Sequence, residues 1–472
     1  MKTKKGWDMR TEKDSMGEIQ IPDDALYGAQ TARAVENFKV SGRAGYSEFI
    51  YATVQIKKAA AIVHKDLGLL DNKQAEAISK AADEVLSGKY DEHFVVDVFQ
   101  AGAGTSHHMN VNEVLANLAN KSLGGVPGKY EHVHPNDHVN MAQSTNDVIP
   151  TAIRLAALEL LKSFYPALEE TIKLMRAKAK EFDDIIKSAR THLQDAVPIR
   201  LGQEFGGYAV NLEKHLQSIR QAEIELKQLG IGGSAAGTGL NVHPQYRQKM
   251  AEALSKLIDL DLEMADNYFE AMQSMRPFVN LSGALRGLAS DLGRIANDFR
   301  LLSSGPRTGL LEINLPPVQP GSSIMPGKVN PVMAEMLNMV CYRVIGNDLT
   351  IANAGGAGQL DLNVMMPLIA DTLVESLRIL TGGLRSFNDR CLQNITANPE
   401  RCRAYAENSF AMVTALNTVI GYLKAAEVAK ESEKTGKPIK QIVVEKGYLK
   451  EEELDKYLAP EKLTEPGIPG KD

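Results

Sequence analysis

The chain contains 472 residues, of which 44% are hydrophobic and 24% are charged, and its formal net charge is −6. These values are typical of soluble globular proteins and exclude disordered and fibrous classes. Acidic and basic residues are mixed along the chain, which argues against a nucleic-acid binder and a membrane-surface patch. No apolar run approaches the ~18 residues of a transmembrane helix. The three cysteines lack metal-type spacing, and the charged N-terminal segment lacks an apolar core, so we expect a cytoplasmic protein.

The N-terminal part of the chain mixes short helices with glycine-marked loops. Helical patterns cover about 49–67 and 73–87, and the loops include the sequences GAGT at 102–105 and GGVPG at 124–128. We predict a mixed helical and loop domain at 1–143.

The middle of the chain is dominated by apolar residues at intervals of three and four, the pattern of long helices. The clearest stripe contains seven residues: Leu281, Leu285, Leu288, Leu292, Ile295, Phe299 and Leu302. Comparable stripes run through 153–175, with Pro150 as a first-turn residue, and through 212–229, and two further helices are expected at about 331–352 and 363–390. We predict an all-α fold with a long five-helix bundle at 144–398 and a small helical domain at 399–472. Single stripes of this kind are often covered by other subunits, so we expect an oligomer.

Four loop-like segments are rich in hydroxyl and amide side chains and lie outside the apolar stripes. They are 102–110, 140–147, 190–195 and 320–331. Neutral donors of this kind suit a small anionic ligand, although in any one segment they also suit helix caps. The last segment, GSSIMPGKVNP at 321–331, is not a phosphate-binding P-loop, because its glycines are too far apart and Val329 follows Lys328. Its glycines, proline and lysine favour a mobile lid over a bound substrate.

Other motif tests are negative. The GAGT segment lacks the third glycine and the strand of a dinucleotide fingerprint, and no Gly-x-Ser-x-Gly elbow is present. His132, His134 and His138 allow a metal hypothesis, but no cysteine or glutamate completes a convincing ligand set. We therefore predict no metal ligands.

The segment at 321–331 resembles the signature loop of the aspartase/fumarase superfamily. The other three polar segments match the remaining characteristic stretches of that family in the same order, and the resemblance extends over nearly the whole chain. It implies a central five-helix bundle within a homotetramer, whose twenty-helix core builds each active site from three subunits.

The reaction implied by the resemblance is anti elimination across the Cα–Cβ bond of a succinyl-like substrate, which releases fumarate. Ser322 would be the base, and the product of proton removal would be an aci-carboxylate dianion that needs an oxyanion site. Backbone N–H groups or a cation would have to stabilise the serine anion. Thr105, Ser144, Thr145 and Ser323 would hold the β-carboxylate. Lys328, Asn330 and Thr191 would bind the α-carboxylate. Asn146 and His192, with Thr105, would surround the leaving group, and Glu335 would orient His192.

The leaving group is predicted from smaller differences within the family. The sequence QSTN at 143–146, Ala103 and the sequence QLDLN at 359–363 resemble aspartases, whereas HPND at 134–137 resembles the second anion site of fumarases. Glu131 stands where an arginine of that second site is expected. Two other positions depart from the family pattern: His108 replaces an asparagine, and Met366 replaces a glutamate common in aspartases.

These resemblances favour reversible elimination of ammonia from L-aspartate. The alternatives are a class II fumarate hydratase, which converts L-malate to fumarate, and a catalytically inactive structural member of the family. The resemblance implies no organic cofactor and leaves activation by a divalent cation open. The expected partners are a small dicarboxylate substrate and further copies of the chain, not nucleic acid or a membrane.

Overall fold

A computed structural model describes residues 8–470, and most of the chain in it is helical. In chain order the α-helices are α1 (Ala29–Asn37), α2 (Ser47–Asp66), α3 (Asn72–Leu86), α4 (Thr105–Ser122), α5 (Thr145–Glu181), α6 (Leu201–Leu226), α7 (Tyr246–Ile258), α8 (Tyr268–Gln273), α9 (Arg276–Leu302), α10 (Val332–Gly356), α11 (Met366–Arg390), α12 (Pro399–Asn408), α13 (Asn417–Ile420), α14 (Tyr422–Thr435), α15 (Ile439–Glu445) and α16 (Leu454–Leu458). The predicted all-α class is confirmed.

The strands are short and form four separate two-stranded sheets in the described part of the chain. They are β1 (Met9–Asp14), β2 (Gly17–Pro22), β3 (Ile186–Thr191), β4 (Gln194–Arg200), β5 (Gln228–Leu229), β6 (Glu263–Met264), β7 (Ile313–Asn314) and β8 (Thr396–Ala397). The pairs β1–β2, β3–β4 and β7–β8 are antiparallel, and β5–β6 is parallel.

Spatial contacts divide the chain into two compact units. Unit 1 consists of Met1–Tyr165, Gln217–Ala289 and Arg343–Thr381, and unit 2 consists of Pro166–Leu216, Ser290–Tyr342 and Gly382–Asp472. The boundary falls within each of the five longest helices, α5, α6, α9, α10 and α11. The division at 143/144 and 398/399 that the sequence suggested stays a prediction.

The long helices form where the apolar patterns predicted them, except that α6 extends from Leu201 only to Leu226, and the last residue of its predicted stripe, Leu229, lies in β5. All seven residues of the α9 stripe are 5% exposed or less, because one face of this helix supplies core side chains at successive turns. In unit 2, the rings of Phe205 and Phe299 stack with centroids 5.3 Å apart, and Phe299 stacks on Phe387. In unit 1, α2, α3 and α4 share a core that includes Val54, Ile78 and Val114.

The start of α5 differs from the prediction, and this difference affects the position of candidate site residues. The helix begins at Thr145, whereas the sequence analysis placed Pro150 in its first turn. Ser144 provides the reason, because its Oγ accepts the N–H of Asn146 at 3.2 Å, and Asp147 Oδ1 accepts the N–H of Ser144 at 2.9 Å. This reciprocal capping box satisfies N–H groups that the first turn leaves unpaired.

All three cysteines, Cys341, Cys391 and Cys402, are free thiols and buried. Burial raises the pKa of each thiol to about 12. They are therefore core residues that stay protonated at neutral pH.

Candidate active site

The predicted site residues fall into two groups. Unit 1 contains Thr105, Ser144, Thr145 and Asn146. Unit 2 contains Thr191, His192, Ser322, Ser323, Lys328, Asn330 and Glu335. Each group is described within its own unit.

Thr105 is the first residue of α4, and the backbone before it is shaped to present it. Ala103 has φ 62° and Gly104 has φ 91°, so the chain turns sharply through two left-handed residues before the helix begins. The N–H of Ala103 donates to the carbonyl of Val364 at 2.8 Å, which fixes this turn. Thr105 is exposed at the N-terminal end of an 18-residue helix, where unpaired N–H groups and the helix dipole favour a carboxylate.

Asp147 fixes the three residues that precede it. Its Oδ2 accepts the N–H groups of Gly232 at 2.9 Å and Ser234 at 3.0 Å, in addition to the bond from Ser144. Burial raises the pKa of this carboxyl to about 6, against the opposing effect of these backbone donors. Because Asp147 is fully buried, Ser144, Thr145 and Asn146 are attached to a rigid anchor.

Behind Thr145 lies a chain of buried polar side chains. Thr145 Oγ1 is 2.8 Å from His108 Nδ1, and His108 Nε2 is 2.5 Å from Lys57 Nζ. Lys57 Nζ also donates to Asn140 Oδ1 and Gln143 Oε1, both at 2.9 Å. Lys57 and His108 are 0% and 1% exposed, respectively. The half-buried Thr145 hydroxyl is therefore the outer end of a network that reaches the core of unit 1.

Asn146 is held in one orientation by the backbone. Its Nδ2 donates to the carbonyl of Ala235 at 2.8 Å. Because a carbonyl only accepts, this partner assigns the amino group of the amide to Ala235 and leaves Oδ1 on the other side. Within residues 8–470, Oδ1 has no recorded hydrogen bond, so Asn146 offers an acceptor.

In unit 2, His192 lies at the tip of a β-hairpin that the sequence analysis took for a loop. Strands β3 and β4 pair Thr191 with Gln194, and His192 and Leu193 between them have φ 55° and 60°. Two successive left-handed residues are typical of a type I′ turn. An ion pair of Lys187 with Glu204 holds the hairpin near its base, and one of Arg190 with Glu312 holds it next to the turn, both at 2.8 Å. Thr191 and His192 are thereby exposed at its end.

The loop 321–331 closes on itself. The N–H of Gly321 donates to the carbonyl of Lys328 at 2.8 Å, and Asn330 Nδ2 donates to the carbonyl of Gly321 at 2.7 Å. A Cβ on Gly321 would lie 2.5 Å from the Lys328 oxygen, so this crossing requires glycine. Asn330, predicted as a carboxylate ligand, therefore also pins the neck of the loop.

Ser322 lies just inside this neck, and its hydroxyl oxygen faces backbone donors. Ser322 Oγ accepts the N–H groups of Ile324 at 3.2 Å and Met325 at 3.1 Å. The same arrangement would stabilise a negative charge on Oγ, since two N–H dipoles already point at it. Ser323 and Lys328 are exposed on the loop.

Glu335 is in the first turn of α10. Among the residues described, no ion pair or hydrogen bond joins it to His192. The predicted orienting pair stays a prediction.

A family model described as a lyase matches residues 17–346, and one described as the fumarase C C-terminus matches residues 412–465. An aspartate ammonia-lyase of Bacillus subtilis is 47% identical over 463 residues, covering 98% of each chain. A class II fumarate hydratase of Halobacterium salinarum is 49% identical over 462 residues, again covering 98% of each.

A solved structure from Brucella melitensis, described as a fumarate lyase:delta crystallin bound to cobalt, superposes with a TM-score of 0.93. It is 46% identical and covers 97% of this chain and 100% of its own. The chain belongs to the aspartase/fumarase superfamily of lyases. The predicted family is confirmed. Relatives named aspartate ammonia-lyase and fumarate hydratase are similarly identical to this chain, so sequence identity does not distinguish their substrates, and the site residues have to be considered.

Within the described chain, no three histidine, cysteine, aspartate or glutamate side chains converge as a metal site would require. No described helix is both long and apolar enough to cross a membrane.

Sequence reasoning missed Lys57 and Asp147, both part of the anchoring of Thr145. Asp147 ends the polar segment 140–147, and nothing in that segment marks it as an anchor. Lys57 lies in an apolar run, TVQIKKAAAIV at 53–63, where two adjacent lysines have the pattern of a helix surface. The available signal was the helical period, which places Lys57 among small apolar residues of α2, on a face that is buried.

Proposed function

We propose that this protein is an L-aspartate ammonia-lyase that reversibly eliminates ammonia from L-aspartate to give fumarate. The membership of the lyase superfamily fixes the class of reaction, and relatives named aspartate ammonia-lyase support this member of it. Relatives named fumarate hydratase are equally similar, so the proposal rests on the group that faces the leaving group.

The orientation of Asn146 carries the proposal. Its amino group is occupied by the Ala235 carbonyl, which leaves an oxygen acceptor for the leaving group. The ammonium group of L-aspartate carries only donors, whereas the departing oxygen of L-malate must be protonated and needs a donor beside it. An acceptor at this position therefore favours an amine over a hydroxyl.

Ser322 supplies the base. As an alkoxide, its Oγ would take the Cβ proton, the Cα–N bond would then break, and the amine would leave as ammonia with the electron pair of that bond. The two backbone N–H groups at Ser322 Oγ support this role, because they lower the energy of the oxyanion before the proton is taken.

The remaining residues would bind the two carboxylates. Thr105, Ser144, Thr145 and Ser323 would hold the β-carboxylate, on which the aci-carboxylate charge develops. Lys328, Asn330 and Thr191 would hold the α-carboxylate, and His192, with Glu335 behind it, would lie near the leaving group. Hydroxyl and N–H donors are suited to this task because their hydrogen bonds to the carboxylate strengthen as the dianion forms.

These groups lie in both units of one chain, and we infer that the complete site forms in a homotetramer from three subunits. Support comes from α10, where Met339, Tyr342 and Leu349 are 66%, 59% and 66% exposed. Their spacing of three and seven residues places them on one helix face, which a second copy would cover.

The deciding experiment follows the absorbance of fumarate with purified protein, given L-aspartate in one reaction and L-malate in another. Absorbance that grows with L-aspartate alone supports the ammonia-lyase, and Ser322→Ala should abolish it. Growth with L-malate alone would establish the fumarate hydratase, which the HPND sequence at 134–137 favours. Activity with neither, together with normal folding, would point to an inactive structural member of the family.

A further inference from the structure

The buried network behind Thr145 has a defined hydrogen-bond direction. The side-chain nitrogen of Lys57 faces three groups: His108 Nε2, Asn140 Oδ1 and Gln143 Oε1. The two amides are themselves fixed, because Asn140 Nδ2 donates to the Gln143 carbonyl and Gln143 Nε2 donates to the Val139 carbonyl. Both amide oxygens therefore point at Lys57 and can only accept.

When Lys57 is charged, the hydrogen bonds from Lys57 to His108 and from His108 to Thr145 are both donated toward Thr145. An ammonium group has three donors and no lone pair, so it donates to both amides and to His108 Nε2. A neutral imidazole that accepts at Nε2 carries its proton on Nδ1. His108 Nδ1 then donates to Thr145 Oγ1, and the Thr145 hydroxyl proton points away from the network, toward the exposed side.

With Lys57 neutral, the direction reverses. The amine keeps two N–H groups for the two amide oxygens and presents its lone pair to His108. His108 then donates from Nε2 and accepts at Nδ1, where the Thr145 hydroxyl is its partner among residues 8–470. One proton leaves Lys57, the histidine changes tautomer, and the Thr145 hydroxyl turns inward.

We propose that Lys57 and His108 are positioning residues that set whether the Thr145 hydroxyl donates to the substrate carboxylate or to the protein. The inference rests on the proposed function only in taking Thr145 as a carboxylate ligand. It assigns a reason for the histidine at 108, since asparagine cannot exchange donor and acceptor by tautomerism.

The surroundings of Lys57 make this change of direction accessible. Burial lowers the pKa of Lys57 well below its usual value, with Asp147 opposing the shift. The titratable groups that face it are His107 and His108 on α4 and Asp147 on α5. Burial lowers the pKa of both histidines, so they are neutral near pH 7. As the pH rises through the lowered pKa of Lys57, its ammonium group loses a proton and carboxylate affinity falls.

Succinate is the probe, because it carries both carboxylates of the substrate and no leaving group. Its affinity is measured by titration calorimetry on the intact protein between about pH 6 and about pH 10. We expect wild-type affinity to fall as the pH rises across this range, and Lys57→Met to lose that fall and bind about 10-fold more weakly at its acidic end. Thr145→Val should behave alike, and Thr145→Ser should restore the wild-type profile.

Combination of the variants separates positioning from general damage to the fold. The double variant Lys57→Met/Thr145→Val should bind no more weakly than the weaker single variant, because both substitutions interrupt the same chain of hydrogen bonds. His107→Gln is the matched control: His107 is also buried on α4 but bonds Thr53 at 2.9 Å, so the alkaline fall should remain. If Lys57→Met does not fold, His108→Ala interrupts the same chain and should lose the fall.

An alkaline fall that persists in Lys57→Met, or in His108→Ala, would overturn the inference, as would additive losses in the double variant. These outcomes are distinct from failure of the proposed function. Succinate profiles as expected, without turnover of L-aspartate, would reject the ammonia-lyase and keep the positioning role. Turnover of L-aspartate, together with a wild-type succinate profile in Lys57→Met, would keep the ammonia-lyase and reject the positioning role.

Discussion

At the scale of single residues, hydrogen bonds within the protein determine whether a candidate site side chain can donate to a substrate or accept from it. Asn146 gives its amino group to Ala235 and keeps an oxygen, and Ser322 receives two backbone N–H groups at its hydroxyl. Such contacts determine the role of a polar group before any substrate arrives. Residue identity alone did not reveal them.

Asn146→Ala should lower kcat/KM for L-aspartate by about 10- to 100-fold, because one hydrogen bond to a charged group is lost. The measurement is the rate of fumarate formation against L-aspartate concentration. Asn408→Ala is the control, since Asn408 also donates its amide to a backbone carbonyl, that of Ala404, but is exposed on α12. Equal loss in both variants would contradict a role for Asn146 at the leaving group.

His107 should make the protein sensitive to acid. Burial lowers the pKa of His107 in the folded protein to about 3, whereas the unfolded value is about 6.5. The unfolded state therefore binds more protons between these values, and stability is lost as pH falls from about 6.5 toward about 3.

His107→Gln removes this proton uptake. The slope of unfolding free energy against pH should decrease by up to about 1.4 kcal/mol per pH unit in that window. Denaturant unfolding at a series of pH values measures it. An unchanged slope would show that His107 is protonated in the folded protein.

At the scale of elements, helices were predictable and turns were not. Apolar patterns predicted α2, α3 and the five long helices. Most of the predicted helix ends lie within a few residues of the observed ones, because apolar residues at helical spacing are needed wherever a helix is buried. The start of α5 was misplaced because Pro150 is a stronger local signal than the capping box at Ser144. The hairpin was missed because its tip is His192-Leu193, with neither glycine nor asparagine to mark a type I′ turn.

The candidate site shows the same limit. The family resemblance named residues in four segments, and the structure places them at helix starts, a hairpin tip and a closed loop. Lys57 and Asp147 were not found, because burial depends on which helices pack around a residue, and that packing is set by residues far away in the chain.

The neck of the loop gives a prediction for an element. Gly321→Ala should open the crossing, because its Cβ would lie 2.5 Å from the Lys328 carbonyl and 2.9 Å from the Asn330 nitrogen. Turnover should fall by about 100-fold or more through displacement of Ser322, with little change in unfolding free energy. The control is Gly45→Ala, where a Cβ would meet nothing within 4 Å. Retained turnover in Gly321→Ala would show that the neck is not needed.

At the scale of the whole molecule, the sequence predicted an all-α protein that associates with further copies. The all-α class is confirmed, and the association stays a prediction. The exposed apolar side chains of α10 are the observation that calls for a partner surface, since a free helix face of this kind is costly in water.

Leu349→Glu should weaken the assembly, because a carboxylate would be placed in the proposed interface without a partner. Light scattering coupled to size-exclusion chromatography should show smaller particles, and turnover should fall with them. Leu423→Glu, at a residue 82% exposed on the shorter helix α14, serves for comparison and should keep the wild-type mass. A Leu349→Glu protein of unchanged mass would place the interface elsewhere.

The buried thiols give the molecule a practical property. Because Cys341, Cys391 and Cys402 are inaccessible and stay protonated, maleimide reagents should leave the folded protein unmodified. A single Met325→Cys substitution, at a side chain 49% exposed in the loop beside Ser322, would then accept a fluorophore at one defined position. Its emission during turnover would test the predicted movement of the loop 321–331, and the three native cysteines would not need to be replaced.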